Sequence, residues 1–338
     1  MKEGKFITLA FETSCDETSV ALIADGREIL TNVISSQIDV HKVFGGVVPE
    51  IASRHHLENI NTVYKSAMDE AGVMLEDVDL IGVTCGPGLV GALLIGIATA
   101  KAVAYAKGKP LVGVHHISGH ISANYIEHKD LEPPFISLVV SGGHTHLVHV
   151  KGYNDYEVLG RTRDDAAGEA FDKVARVLGL GYPGGPRIDE AAKSGNPHSM
   201  EFKRVMLEKD SLDFSFSGLK TGVLNYINTQ KLKGREVDVN DLAAAFQLSV
   251  VEVLIAKALI AASVTGEKKL VLAGGVAANS LLRKLLTEAC EKEGISLYYP
   301  SHLLCTDNAA MIGCAAYYKY RDGLADDMTL DAYPALAL

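Results

Sequence analysis

"FITLAFETSCDETSVALIADG" spans residues 6–26, and its layout returns at residues 134–152 as "PFISLVVSGGHTHLVHVKG". Each has an apolar strand, a short polar turn and a second apolar strand, the pattern of a β-hairpin. One turn holds Thr13, Ser14 and Asp16; the other holds Ser141, Gly142 and Gly143. Tips of this kind can present backbone N–H groups to an anion.

Helix and strand alternate after each hairpin. The first is followed by a helical pattern over residues 49–72, with Ile60, Val63, Ala67 and Ala71 at helical spacing. Residues 79–108 then read as strand, glycine turn and long apolar helix, and residues 110–116 as a strand. The later part carries an apolar helix over 240–266, a strand, Gly-Gly turn and helix over 268–294, a strand over 295–301 and a last helix over 306–320. The expected fold is therefore α/β, with duplicated domains around a central cleft. Its lobes are expected at 1–133 and 134–338, with an insertion in the second at about 153–239. Ligands in such folds sit where strand ends and helix N-termini converge.

Composition narrows the function. The 338 residues suggest roughly two domains. The apolar run 88–100 stops at Lys101, shorter than the ~20 residues of a membrane span. The first residues lead directly into a strand pattern without the features of a signal or transit peptide, so a cytoplasmic protein is expected. Five cysteines, an odd number with no CxxC pair, argue against a disulfide framework or zinc ribbon. The net charge of −10 excludes a chain that grips nucleic acid with its whole surface. Local basic stretches remain at 231–235 and 160–165.

The residues suited to chemistry lie at turns. His116 and His120 in "GVHHISGHI" (113–121) are four apart, so on a helix both imidazoles point the same way. That spacing serves two ligands of one metal, and equally a hydrogen-bonded polar helix start. His115 should point elsewhere. A third ligand would be a carboxylate. Asp307 in "TDNAAMIG" lies between a strand and a helix, where it can serve as ligand or as N-cap. "VVSGGH" (139–144) and "LAGGVAAN" (272–279) are strand-glycine turns that admit close approach of a phosphate or nucleoside; neither matches GxGxxG or a P-loop. Asp172 and Asp189 flank the Gly-Pro loop containing Gly184 and Gly185 and can accept hydrogen bonds from ribose hydroxyls.

Across nearly the whole chain these motifs resemble one family. "ETSCDETSVA" (12–21), "GPGLVGALLIG" (86–96), "HHISGH" (115–120), "VSGGHT" (140–145), "FDKVARVLGLGYPGGP" (171–186), "SFSGLKT" (215–221), "GGVAAN" (274–279) and "TDNAAMIG" (306–313) are similar to the TsaD family, and "FGGVVPEIASRHH" (44–56) to its bacterial branch. The resemblance implies an actin/Hsp70/sugar-kinase-like (ASKHA) fold. It implies transfer of a threonylcarbamoyl group from threonylcarbamoyl-AMP to N6 of adenosine 37 in tRNAs that read codons beginning with A, with release of AMP. On it, His116, His120 and Asp307 match the metal ligands, with iron as the ion and zinc or magnesium as alternatives. Val139, Val140, Ser141, Gly142 and Gly143 match the substrate loop; Asp172, Gly185, Asp189 and Asn279 match nucleotide or substrate contacts. Partners implied are tRNA, a TsaB-like paralogue and a TsaE-like ATPase. Glu12, ending the first strand, is a further candidate, as acceptor of the amine proton.

Three other readings are weighed against this one. A metalloprotease, an older label of the family, would want HExxH, and Ile117 and Ser118 follow His116 here. A small-molecule kinase of the same fold would not need the histidine pair. A non-enzymatic scaffold would not need the metal residues.

Overall fold

A computed structural model describes residues 4–206, 208 and 211–338. In chain order its strands and helices begin β1 (Ile7–Glu12), β2 (Glu17–Ala24), β3 (Glu28–Ser36), α1 (Ile38–Lys42), α2 (Pro49–Ala71), β4 (Leu80–Gly86), α3 (Val90–Lys107), β5 (Leu111–His115) and α4 (His116–Glu127). They continue β6 (Phe135–Val140), β7 (Thr145–Gly152), β8 (Asp155–Arg161), α5 (Ala167–Val177), α6 (Gly184–Ala192), α7 (Ser217–Leu232) and α8 (Val239–Thr265). The chain closes with β9 (Lys269–Ala273), α9 (Ser280–Glu293), β10 (Ser296–Tyr298), α10 (His302–Cys305) and α11 (Ala309–Arg321).

The structure divides into two compact units. The first takes residues up to Pro133, Gly152–Asp155 and Pro300–Leu338; the second takes Pro134–Lys151 and Tyr156–Tyr299. The first sheet runs β3-β2-β1-β4-β5 and the second β8-β7-β6-β9-β10, the same order twice. In the first, β1 pairs antiparallel with β2 (Ile7 opposite Ala24) and parallel with β4 (Thr8 opposite Leu80). In the second, β6 pairs antiparallel with β7 (Phe135 opposite Val150) and parallel with β9 (Ile136 opposite Leu270). β1 and β6 are central strands buried along their whole length, which explains their mainly apolar character, interrupted by Thr8 and Glu12 in one and Ser137 in the other.

Two boundaries differ from the sequence expectation. The second lobe, read as continuing to residue 338, ends at Tyr299. Helix α11 packs on β1, β4 and β2 of the first sheet, and Ala309, Met311, Ile312 and Cys314 are buried there. The break placed at about 153 also comes later, because β8 extends the β6–β7 hairpin into a three-stranded meander, as β3 extends the first. Its outward-facing residues lack the apolar run that marks the central strands.

Helix ends follow local chemistry. α2 starts with Pro49 in its first turn, and α2, α3, α8 and α9 end at left-handed Gly72, Gly108, Gly266 and Gly294. α3 runs on past Lys101 to Lys107, so α3 and α8 are both long and apolar enough to cross a membrane by length and composition, against the sequence expectation. α3 packs on β4, β1 and β5 of its own sheet, and α8 packs on β6 and β9 of its own. All five cysteines are free thiols, four of them buried.

The start of α7 is capped from a distance. Asp164 Oδ1 accepts from the backbone N–H of Phe216 (2.8 Å) and Ser217 (3.2 Å), and Oδ2 accepts from the hydroxyls of Ser215 (2.5 Å) and Ser217 (2.8 Å). Burial raises the Asp164 pKa, but these four donors outweigh it and the net shift is downward. Asp164→Ala is expected to destabilise the protein by about 1 kcal/mol in denaturant unfolding, the usual size of a lost cap, with partial solvent exposure keeping it at the low end. Because the folded-state pKa is depressed, the stabilisation is complete above the unfolded value and is lost as pH falls through the folded one. The difference between wild type and variant should therefore shrink in acid.

Candidate functional site

His115 sets the geometry of the histidine segment. It ends β5 and caps α4, its Nδ1 accepting from the Ile117 N–H at 3.1 Å. Its Nε2 then carries the proton and donates to the Leu336 carbonyl at 3.1 Å. His115 thus points away from its neighbours, as the sequence suggested, and α4 begins at His116. One turn on, the His120 ring lies edge-on to that of His116, with centroids 4.6 Å apart.

Asp307 meets both rings. Its Oδ1 lies 3.4 Å from His116 Nε2 and 3.2 Å from His120 Nε2. The N-cap of α11 is Asn308, whose Oδ1 accepts from the Met311 N–H, so Asp307 is not the capping residue. Gly119 eases this approach: a Cβ there would stand 2.7 Å from Ile312 Cδ1, so the Ile312 side chain of α11 would have to shift. One ligand atom from each of His116, His120 and Asp307 lies within 4.8 Å of the others.

Glu12 stands behind His116. It is fully buried at the end of β1, with Oε1 accepting from the Ser14 N–H (2.5 Å) and Oε2 accepting from the Thr84 hydroxyl (2.5 Å). Oε2 also lies 3.2 Å from His116 Nδ1, where Ser14 Oγ is 3.1 Å away. Burial alone would lower the His116 pKa, but Asp307 and Glu12 outweigh it and hold it well above its ordinary value. Burial likewise raises Asp307, and the two histidines pull it far below the usual carboxylate range. Glu17, beside this group, is driven the other way, up to about 10, by burial and by Asp16 and Asp307.

A metal fits these residues. Among the described residues His120 Nδ1 is buried without a partner and Nε2 has only the 3.2 Å approach of Asp307 Oδ1, so the protein alone leaves this ring poorly satisfied. Two imidazoles and one carboxylate form a donor set suited to iron or zinc, and an all-oxygen set would suit magnesium better. The Glu12–His116 contact supplies the outer support that metal-bound histidines usually have. A metal here must displace the proton from His116 Nε2.

The second unit assembles the other predicted residues. Val139 and Val140 are fully buried within β6, so only their backbone can meet a ligand. The 141–144 turn closes on itself, Ser141 N–H donating to the His144 carbonyl (2.8 Å) and His144 N–H to Ser141 Oγ (3.2 Å). The Gly142 and Gly143 amides donate to no protein acceptor among the described residues. Gly274 (φ 88°) brings the next turn against this one, since a Cβ there would lie 2.5 Å from the Val140 carbonyl oxygen. Asp172 Oδ1 accepts from Gly184 N–H (2.6 Å) at the start of α6, next to Gly185, whose Cβ side is open. Asn279 caps α9 with Oδ1, which accepts from the Leu282 N–H, and this leaves its amide NH2 for other contacts. Asp189 accepts from Ser280 and from Gln247.

The sequence reading missed Ser14 and Thr84 as partners of Glu12, and missed Gln247 and Ser280. It read Glu12 as an acceptor of the amine proton. Here Glu12 is buried with both oxygens engaged, which fits the support of His116 instead. Gln247 did leave a signal, as a long amide side chain, with Ser249 the other polar residue, within "AAAFQLSVV".

Comparison with known proteins shows the type of fold and the family. The structure is similar over 95% of the chain to 48% of HypF from T. kodakarensis (TM-score 0.64, 15% identity). It is also similar over 94% of the chain to 99% of the (R)-2-hydroxyglutaryl-CoA dehydratase component A of Acidaminococcus fermentans (TM-score 0.55, 16% identity). At these identities the likeness concerns the fold, which is of the ASKHA type. The sequence is 59% identical over 334 residues to the tRNA N6-adenosine threonylcarbamoyltransferase of Clostridium beijerinckii, covering 99% of this chain and 98% of that one. It is 60% identical over 332 residues to the enzyme of the same name from Clostridioides difficile, covering 98% of each. A family model for TsaD, tRNA N6-adenosine threonylcarbamoyltransferase, matches residues 28–314. The chain therefore belongs to the TsaD family of tRNA-modifying transferases.

Proposed function

We propose that the chain transfers the threonylcarbamoyl group from threonylcarbamoyl-AMP to N6 of adenosine 37 in tRNAs that read codons beginning with A, releasing AMP, with a divalent metal held by His116, His120 and Asp307. The observation that carries this reading is the convergence of the buried His116 and His120 rings on Asp307, with His120 Nδ1 lacking a partner among the described residues. Of the ions expected, the donor set favours iron or zinc over magnesium.

The donor is an acyl-adenylate with a good leaving group, so no serine or cysteine nucleophile is needed. The tasks are to hold the adenylate, polarise the carbonyl and present a weakly nucleophilic amine. A metal with open positions supplies Lewis acidity toward the donor's oxygens when bound. Glu12 holds the His116 ring with Nδ1–H outward, which leaves Nε2 as the ligand atom. The Gly142 and Gly143 amides, which donate to no acceptor among the described residues, are suited to developing negative charge. Asp172, Gly185, Asp189 and Asn279 serve the nucleotide. The target base must be unstacked, as in an anticodon loop.

The −10 charge supports a division of labour in which a TsaB-like paralogue and a TsaE-like ATPase assist in the cytoplasm and contribute to the grip on tRNA. The protease reading finds no support, because Glu12 lies on the Nδ1 edge of His116, away from the Nε2 edge where a water-activating base would stand.

The test combines the chain, a threonylcarbamoyl-AMP-generating system and a tRNA that reads an A-starting codon, followed by mass analysis of the nucleosides. Threonylcarbamoyladenosine is expected in the digest and absent without the chain. Peptide cleavage or phosphoryl transfer without modified nucleoside would overturn the proposal.

A further inference from the structure

Gln247 lies in the most buried stretch of α8 and is 2% exposed. Its Nε2 donates to Asp189 Oδ1 at 3.0 Å. The Ser280 hydroxyl donates to the same oxygen at 2.8 Å, while the Ser280 backbone N–H reaches Oδ2 at 3.3 Å. Oδ1 thus has two good donors and its capacity is used. Oδ2 has one long contact and retains room to accept. The carboxylate also rests on the first turn of α9, where the helix N-terminus favours negative charge.

The rest of the Gln247 amide is conspicuous. Its Oε1 is buried with no hydrogen-bond partner among the described residues. Turning the amide over would set Oε1 against Asp189 Oδ1, acceptor against acceptor, so the network fixes the orientation. A buried acceptor left unpaired disfavours folding, and an apolar side chain of similar size would be the more stable choice. The group earns its place only through its N–H, and that N–H acts on a half-exposed carboxylate.

We infer that Gln247 is a positioning residue that locks Asp189 with one carboxylate oxygen turned outward to accept the hydroxyls of the donor nucleotide's ribose. The inference rests on the reading of Asp189 as a nucleotide contact. The surroundings suit a sugar: Gly185 lies one turn before Asp189 on α6, and the space on its Cβ side is open. A carboxylate with a free oxygen recognises a vicinal diol, and without Gln247 and Ser280 it would rotate freely.

The test is the preference for AMP over 2′-deoxy-AMP, measured by calorimetry on the wild type, Asp189→Ala, Gln247→Leu and Gln247→Met, with thermal unfolding of each. The preference is a ratio of two affinities on one sample, so partial unfolding does not alter it. The wild type is expected to prefer AMP by about tenfold, the size of one hydrogen bond to a charged group, and Asp189→Ala to lose the preference. Both Gln247 variants should lose most of it while melting at or above the wild-type temperature. Loss in Asp189→Ala with full retention in both Gln247 variants would overturn the role of Gln247 and leave Asp189 as a contact. No preference in the wild type, or none lost in Asp189→Ala, would remove the reading of Asp189 and the inference with it.

Discussion

His120→Ala is expected to lower threonylcarbamoyl transfer by about 10³-fold or more while changing stability by no more than about 2 kcal/mol. The activity loss follows from removing one of the two nitrogen ligands of the proposed metal site. The small stability effect follows from the ring's poor satisfaction: truncation leaves a cavity and removes one of the two histidines beside Asp307, but it also removes a buried Nδ1 that has no partner among the described residues. His116→Ala should lose activity to a similar extent and be less stable by about 3 kcal/mol or more, because Glu12 and Asp307 would lose the cation between them. Elemental analysis should show metal content falling in both variants. Full transfer by either one would take the metal out of the mechanism.

Glu12 gives the second large effect. It accepts at both oxygens, from Ser14 N–H on one side and from Thr84 and His116 on the other. Glu12→Gln preserves the shape, but whichever way the amide turns, its NH2 meets a donor. Facing His116, it would demand the tautomer with the proton on Nε2 and so take away the ligand lone pair. Metal affinity is expected to fall by about 10–100-fold, as for other lost supports of metal-bound histidines. Glu12→Ala should also destabilise the fold by about 3–5 kcal/mol, since it strips a buried pair of one partner. Metal titration of the purified variants separates the two effects. Unchanged affinity in Glu12→Gln would argue that Glu12 does something other than hold His116.

Much of this was readable from residue patterns. The two hairpins, their short polar turns and the strand-turn-helix units after them predicted the duplicated sheets, because central strands buried on both faces are mostly apolar. The outer strands β3 and β8 escaped, since an edge strand exposed on one face has a mixed sequence. The return of residues 300–338 to the first unit escaped as well, because nothing local in α11 says which sheet it will cover. At the site, the four-residue histidine spacing was visible, and Asp307 was an even choice between cap and ligand until Asn308 took the cap. Glu12 was noticed as an acceptor of the amine proton, and its contacts add a place behind His116. Its partners Thr84 and His116 lie 72 and 104 residues away in sequence, and no local pattern reports such contacts.

The most direct test of the metal-centred account is to strip the purified protein with a chelator, confirm the loss by elemental analysis and measure transfer from pre-formed threonylcarbamoyl-AMP to tRNA before and after adding back iron or zinc. Stripped wild-type protein is expected to lose transfer and regain it with either ion, while stripped His120→Ala regains nothing. Full transfer by wild-type protein shown to be metal-free would contradict the account.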